Sequence, residues 1–168
     1  MDRTVAQHVV DYARNPHAGF LRDGQYGASR KRSGQDSYQL LREWLTRAGY
    51  RYLHYNAHGA YHRPSLYHPT NDRMRVEFSA TRIRFQSKRG NDWQNRGTQS
   101  LISAAQAVLL DAQATLLRLE NAEQIEAVLH ALPLAYREKM IVRLDLLEKR
   151  DKANAPIAGF EPGRWWGR

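Results

Sequence analysis

The stretch RMRVEFSATRIRFQSK, residues 73 to 88, shows the strongest alternation of apolar and polar residues in the chain. Successive side chains of a β-strand point to opposite faces of a sheet, so an alternating run predicts a strand with one apolar face. Two such runs flank Ser79 and Ala80, and we therefore predict a β-hairpin. Its apolar face consists of Met74, Val76, Phe78, Ile83 and Phe85.

The opposite face of this hairpin is predicted to be basic. Its residues are Arg73, Arg75, Glu77, Arg82, Arg84 and Lys88. Alternate residues of a strand lie roughly 7 Å apart and paired strands about 4.8 Å apart, so the four arginines are expected to form a compact cluster. Such a cluster is a candidate surface for nucleic acid. The alternative is a solvated face whose arginines pair with nearby carboxylates.

The charge of the chain also favours a polyanionic partner. It has 26 Lys and Arg residues against 17 Asp and Glu, a net charge of +9. Residues 1–96 hold 17 basic and 8 acidic residues, whereas residues 97–168 hold 9 of each, so the first half carries all of the excess. Most of these cations are arginines, whose planar guanidinium suits phosphate. We expect nucleic acid or a nucleoprotein complex as the partner. In the alternative interpretation, the charge serves only solubility.

The remaining N-terminal residues predict two helices and a loop. Apolar residues recur at helical spacing over residues 4–14 and 36–48. Asp36 resembles a helix cap, and Gly49 is a typical C-terminal stop. The glycine-rich stretch 14–35 lacks an apolar period and is predicted to be a basic loop. The cations of this loop that we assign to nucleic-acid binding are Arg30, Lys31 and Arg32.

The rest of the chain predicts one more strand and three more helices. Residues 50–55 alternate and are rich in aromatic side chains, which indicates a strand. The polar stretch KRGNDWQNRG, residues 88–97, is predicted to be a connection. Three helices are expected to follow, beginning near Thr98, Asn121 and Pro133, where capping residues precede apolar residues at helical spacing.

These elements predict an α+β fold. A small three-stranded antiparallel sheet, from about residue 50 to 87, is expected to pack against two N-terminal helices and a C-terminal three-helix bundle. At 168 residues the chain is expected to form a single domain, 1–168. Within it we distinguish a basic α/β half (1–96), a helical half (97–152) and an irregular tail (153–168).

Trp93 completes the predicted nucleic-acid-binding residues. It lies in the polar stretch after Lys88 and Arg89, where an indole either packs back on the domain or stacks on a base. Stacking contributes about 1 to 3 kcal/mol per base. The full predicted set is Arg30, Lys31, Arg32, Arg73, Arg75, Arg82, Arg84, Lys88, Arg89 and Trp93.

The stretch YLHYNAHGAYHRPSLYH, residues 52–68, holds four of the seven histidines. His54, His58 and His62 are spaced as on one helical face, but Gly59 and Pro64 argue against a helix. The chain has no cysteine, and this stretch has neither a carboxylate nor an H-E-x-x-H motif. We therefore predict no metal site.

The same histidines permit an alternative function. A metal-independent ribonuclease or other phosphodiesterase needs a general acid and a general base near neutral pKa, and a cation that stabilises the phosphate. His58 and His62 are the candidate acid–base pair, and Arg63 the candidate cation.

A third interpretation is a protein-interaction module. The helical half, or Trp165 and Trp166 in the tail, could contact a second copy of the chain or another protein. No GxGxxG or P-loop motif occurs, so we expect no cofactor. No apolar run is long enough to span a bilayer, so we expect no membrane partner and a cytoplasmic location.

Overall fold

The computed structural model describes residues 1–14, 30–53 and 64–154, with the backbone alone for residues 30–33 and 153–154. Its strands form a four-stranded antiparallel sheet in the order β1-β2-β3-β4. The elements are α1 (Arg3–Ala13), α2 (Arg30–Arg47), β1 (Leu66–His68), β2 (Asn71–Phe78), β3 (Arg82–Arg89), β4 (Asp92–Ser100), α3 (Leu101–Glu120), α4 (Ile125–His130) and α5 (Leu134–Asn154).

The predicted α+β class agrees with this structure, but the predicted three-stranded sheet is wrong because β1 and β4 were missed. β4 forms from the stretch that we expected to be a polar connection. Arg89 pairs with Asp92 across a two-residue turn. Gly90 in that turn has a φ of 60°, which the first central residue of a type II′ turn requires. Apart from Trp93 and Gly97, the residues of β4 are polar, so the sequence shows no apolar alternation, and backbone pairing with β3 holds this edge strand in the sheet.

The strand predicted over residues 50–55 is also wrong in the part that the structure describes. Arg51 makes one isolated bridge with Tyr67, in which each backbone N–H donates to the other residue's carbonyl. Tyr52 and Leu53 form no strand, and residues 54 and 55 lie outside the described residues. The edge strand on this side is instead β1.

Helix α2 begins at Arg30, six residues before the predicted start at Asp36. Its first turn carries three cations and no acidic residue, although the helix dipole disfavours positive charge at an N-terminus. Gly34 adds a further local cost to the helix. The end of the predicted basic loop is therefore helical, against local preference, and α2 is anchored by the buried side chains of its later turns, from Ser37 onward.

The main core lies on one face of the sheet. Apolar side chains of helices α1, α2 and α3 form this core together with those of β1, β2 and β3. The fully buried large side chains of this core include Val9, Leu41, Trp44, Leu66, Val76, Ile83 and Val108. Four residues of the predicted apolar face, Val76, Phe78, Ile83 and Phe85, are thus buried as predicted, whereas Met74 is only partly buried.

The predicted C-terminal three-helix bundle is wrong, because α3 belongs to the main core. Leu101, Ala105 and Val108 of α3 pack with the sheet and the N-terminal helices. A separate cluster on α3, centred on Ala114, packs against Met140 and Leu147 of α5. The Ala- and Leu-rich α3 is apolar on two sides, so it lies between the sheet layer and α5.

The contact between α3 and α5 is partly ionic. Asp111 of α3 is 1% exposed, and its carboxylate lies 3.1 Å from Nε of Arg143 and 3.8 Å from Nη1 of Arg150. Arg118 pairs with Asp151 at 2.6 Å. These pairs join the two helices beyond the small apolar cluster. Within the described part of the chain, no helix is long and apolar enough to cross a bilayer.

Candidate nucleic-acid interface

The side of the sheet opposite the helices carries most of the predicted binding residues. Because Val76, Phe78, Ile83 and Phe85 face the core, the residues between them face outward. We call this outer side the basic sheet face. It consists of Tyr67, Arg73, Arg75, Glu77, Arg82, Arg84, Gln86, Lys88, Trp93, Asn95 and Thr98.

The strand register spreads the arginines along the hairpin. Arg75 pairs with Gln86, and Arg84 pairs with Glu77. Lys88 lies six positions after Arg82 on β3, which corresponds to roughly 20 Å of strand. The cations therefore form a stripe along the sheet and not the compact cluster that we expected.

Arg73 is engaged by backbone carbonyls and Arg84 by a carboxylate. Arg73 donates from Nη2 to the backbone carbonyls of Lys88 and Gly90, each at 3.2 Å. The guanidinium of Arg84 lies 3.6 Å from the carboxylate of Glu77, and both side chains remain partly exposed. These contacts orient the two cations, but an exposed pair of this kind contributes little stability.

Arg75 and Trp93 form the most distinctive contact of the basic sheet face. The guanidinium carbon of Arg75 lies 4.0 Å from the centroid of the indole, and Nζ of Lys88 lies 5.7 Å from it. Nε of Arg75 donates to Oε1 of Gln86 at 2.8 Å. The ring of Tyr67 meets the indole edge-on, with a centroid distance of 6.0 Å. Trp93 therefore belongs to the outer face and not to the core.

The charge of this face is strongly asymmetric. Its five cations, Arg73, Arg75, Arg82, Arg84 and Lys88, oppose one carboxylate, Glu77, among its described residues. The other polar groups of the face are amides and hydroxyls. A face of this composition favours an anionic ligand.

The other predicted binding residues lie elsewhere. Arg30, Lys31 and Arg32 are in the first turn of α2. Arg89 lies beside the β3–β4 turn, and strand alternation places it on the side opposite Lys88.

Sequence reasoning missed four members of the face. Tyr67 lies in β1, and Asn95 and Thr98 lie in β4; neither strand was predicted. Gln86 is part of the predicted hairpin, and its place between Arg84 and Lys88 in the alternation was the available signal.

The predicted catalytic residues His58, His62 and Arg63 lie outside the described residues, as does His54. His68 is described, and its Nδ1 accepts a hydrogen bond from the backbone N–H of Thr70 at 3.2 Å. Its ring contacts that of Tyr50 edge-on. In the described part of the chain, no group of three or more His, Cys, Asp or Glu residues is placed to hold a metal ion.

Comparison with known proteins gives no relative: no family model, no curated protein and no solved structure matches this chain.

Proposed function

We propose that this protein binds nucleic acid, RNA or DNA, free or within a nucleoprotein complex, and that the basic sheet face is the binding surface. The observation that carries the proposal is the charge of that face, with five cations and one carboxylate among its described residues. Cations that neutralise phosphates release condensed counterions, which supplies most of the free energy of non-specific binding.

The position of these cations on the fold supports the proposal. They lie on regular strands whose inner residues are buried, so the main core holds their backbone in place. Arg is preferred over Lys for phosphate because its planar guanidinium donates two parallel hydrogen bonds. Four of the five cations are arginines.

The experiment is a titration of labelled RNA and DNA with wild-type protein and a double variant, Arg82→Gln with Lys88→Gln. We expect the double variant to bind both more weakly, because two phosphate partners are lost. The matched control is Arg3→Gln with Arg118→Gln, which removes the same charge from helices α1 and α3. Equal loss of affinity in both double variants would assign the binding to net charge and not to this face.

A second candidate function is self-association through α5. Four of its large apolar side chains are exposed: Leu134, Ile141, Val142 and Leu146. Exposed Glu138 and Lys149 lie eleven residues apart, close to three helical turns, and so share a side of the helix. An antiparallel pairing of two copies about a two-fold axis would bring Glu138 of one beside Lys149 of the other. Sedimentation of wild-type protein and of Val142→Glu tests this proposal, since the introduced charge should remove a dimer.

A further inference from the structure

The contact between Arg75 and Trp93 carries an inference about the ligand, which rests on the proposed function. We propose that the basic sheet face binds single-stranded nucleic acid in preference to duplex, and that an unpaired base stacks on the paired side chains of Arg75 and Trp93. Tyr67 contacts the indole edge-on and Gln86 accepts a hydrogen bond from Arg75, and these two contacts hold the pair in position.

The geometry of the stack supports base binding. The guanidinium carbon of Arg75 lies over the indole, 4.0 Å from its centroid, which is a cation–π contact between two planar groups. Both side chains are only partly buried, and both an indole and a guanidinium plane are groups on which unpaired bases stack. The hydrogen bond from Arg75 Nε to Gln86 restricts rotation of the guanidinium, which lowers the entropy lost on binding.

The width of the face argues against a duplex ligand. Four strands span three spacings of about 4.8 Å, or roughly 14 Å before side chains are added. The major groove of B-DNA is about 12 Å wide and admits a helix or a two-stranded ribbon. The bases of a duplex are also already stacked, so an exposed planar group on a broad surface cannot reach their faces. A single strand can lie along the cationic stripe and turn one base onto the stack.

A variant that keeps the charge separates stacking from electrostatics. Arg75→Lys retains the positive charge but removes the planar guanidinium. We expect it to lower the affinity for single-stranded RNA and DNA of about 12 nucleotides by about fivefold or more, with unchanged affinity for the duplex of the same sequence. The slope of log affinity against log salt should not change, because the number of phosphate contacts is the same.

The matched control is Arg84→Lys, at an arginine whose partner is the carboxylate of Glu77. It should leave the preference for single strands unchanged. Trp93→Ala should reproduce the effect of Arg75→Lys, and Trp93→Phe, which keeps an aromatic plane, should retain most of the affinity. Melting curves of each variant separate loss of binding from loss of folding.

Two results would overturn the inference while leaving the proposed function intact: duplex bound as tightly as single strands by the wild-type protein, or equal effects of Arg75→Lys and Arg84→Lys on single strands. Absence of binding to any nucleic acid would remove the proposed function and this inference together.

Discussion

The guanidinium carbon of Arg75 on β2 lies over the indole of Trp93 on β4, 4.0 Å from its centroid, although β3 lies between these two strands. The contact reaches across β3, so it forms only when β2, β3 and β4 are in their observed register. It keeps Trp93 on the outer face beside the cations. The same register pairs Arg84 with Glu77, which leaves the face with one internal ion pair and a net positive charge.

Removal of that carboxylate should strengthen nucleic-acid binding. In Glu77→Gln, the guanidinium of Arg84 loses its partner and becomes available to a phosphate. We expect tighter binding and a slope of log affinity against log salt that is steeper by about 0.7 to 0.9, as for one added phosphate contact. The control Glu120→Gln makes the same charge change next to Arg3, at the end of α3. If Glu120→Gln strengthens binding equally, net charge and not the basic sheet face determines the affinity.

The buried carboxylate of Asp111 should be important for stability. Asp111→Asn removes the charge that faces Arg143 and Arg150, whose side chains are 18% and 22% exposed. Removing one partner of a buried ion pair lowers the free energy of unfolding by about 3 to 5 kcal/mol. We expect a loss of about 3 kcal/mol, because the two arginines retain some contact with water. Urea unfolding followed by circular dichroism measures the loss.

The comparison variant for Asp111 is Asp151→Asn. Asp151 pairs with Arg118 on the same two helices, but its side chain is 56% exposed. Its loss should cost about 1 kcal/mol or less. Similar destabilisation by both variants would contradict a special role for the buried carboxylate.

Two glycines with positive φ should differ in their tolerance of alanine. Gly90 has a φ of 60°, and no heavy atom lies within 4 Å of a Cβ added there. Gly90→Ala should therefore lower the free energy of unfolding by about 1 to 2 kcal/mol, through backbone strain alone. Gly49 has a φ of 95°, and an added Cβ would lie 3.2 Å from Cγ of Pro69. Gly49→Ala should therefore cost more. Thermal melts of the two variants test this order, and a less stable Gly90→Ala would reverse it.

The accuracy of the sequence-based predictions follows from where each element buries its side chains. The β2–β3 hairpin was predictable because Val76, Phe78, Ile83 and Phe85 alternate and are buried on one face. Strand β4 was missed because it is an edge strand whose residues are mostly polar on both faces of the sheet. Its one local signal was the Gly-Asn pair at residues 90 and 91, which is typical of a two-residue hairpin turn.

The candidate site was predictable in composition but not in geometry. Alternation alone identified the outward-facing cations of the hairpin. The stack of Arg75 on Trp93 depends on the pairing of β4 with β3, and no sequence pattern defined that register. The early start of α2 was missed because the residues of its first turn do not favour a helix N-terminus. The buried side chains that hold the helix in the core come from its later turns.

The salt dependence of binding to RNA and DNA measures directly whether the basic sheet face contacts phosphates. If four cations of the basic sheet face, those other than the Glu77-paired Arg84, each neutralise one phosphate, the log of the affinity should fall with the log of salt concentration at a slope of about −2.8 to −3.6. Neutralising Arg82 and Lys88 together should reduce the magnitude of that slope by about 1.4 to 1.8. A flat salt response, or a slope unchanged in that double variant, would contradict the assignment of this face to nucleic-acid binding.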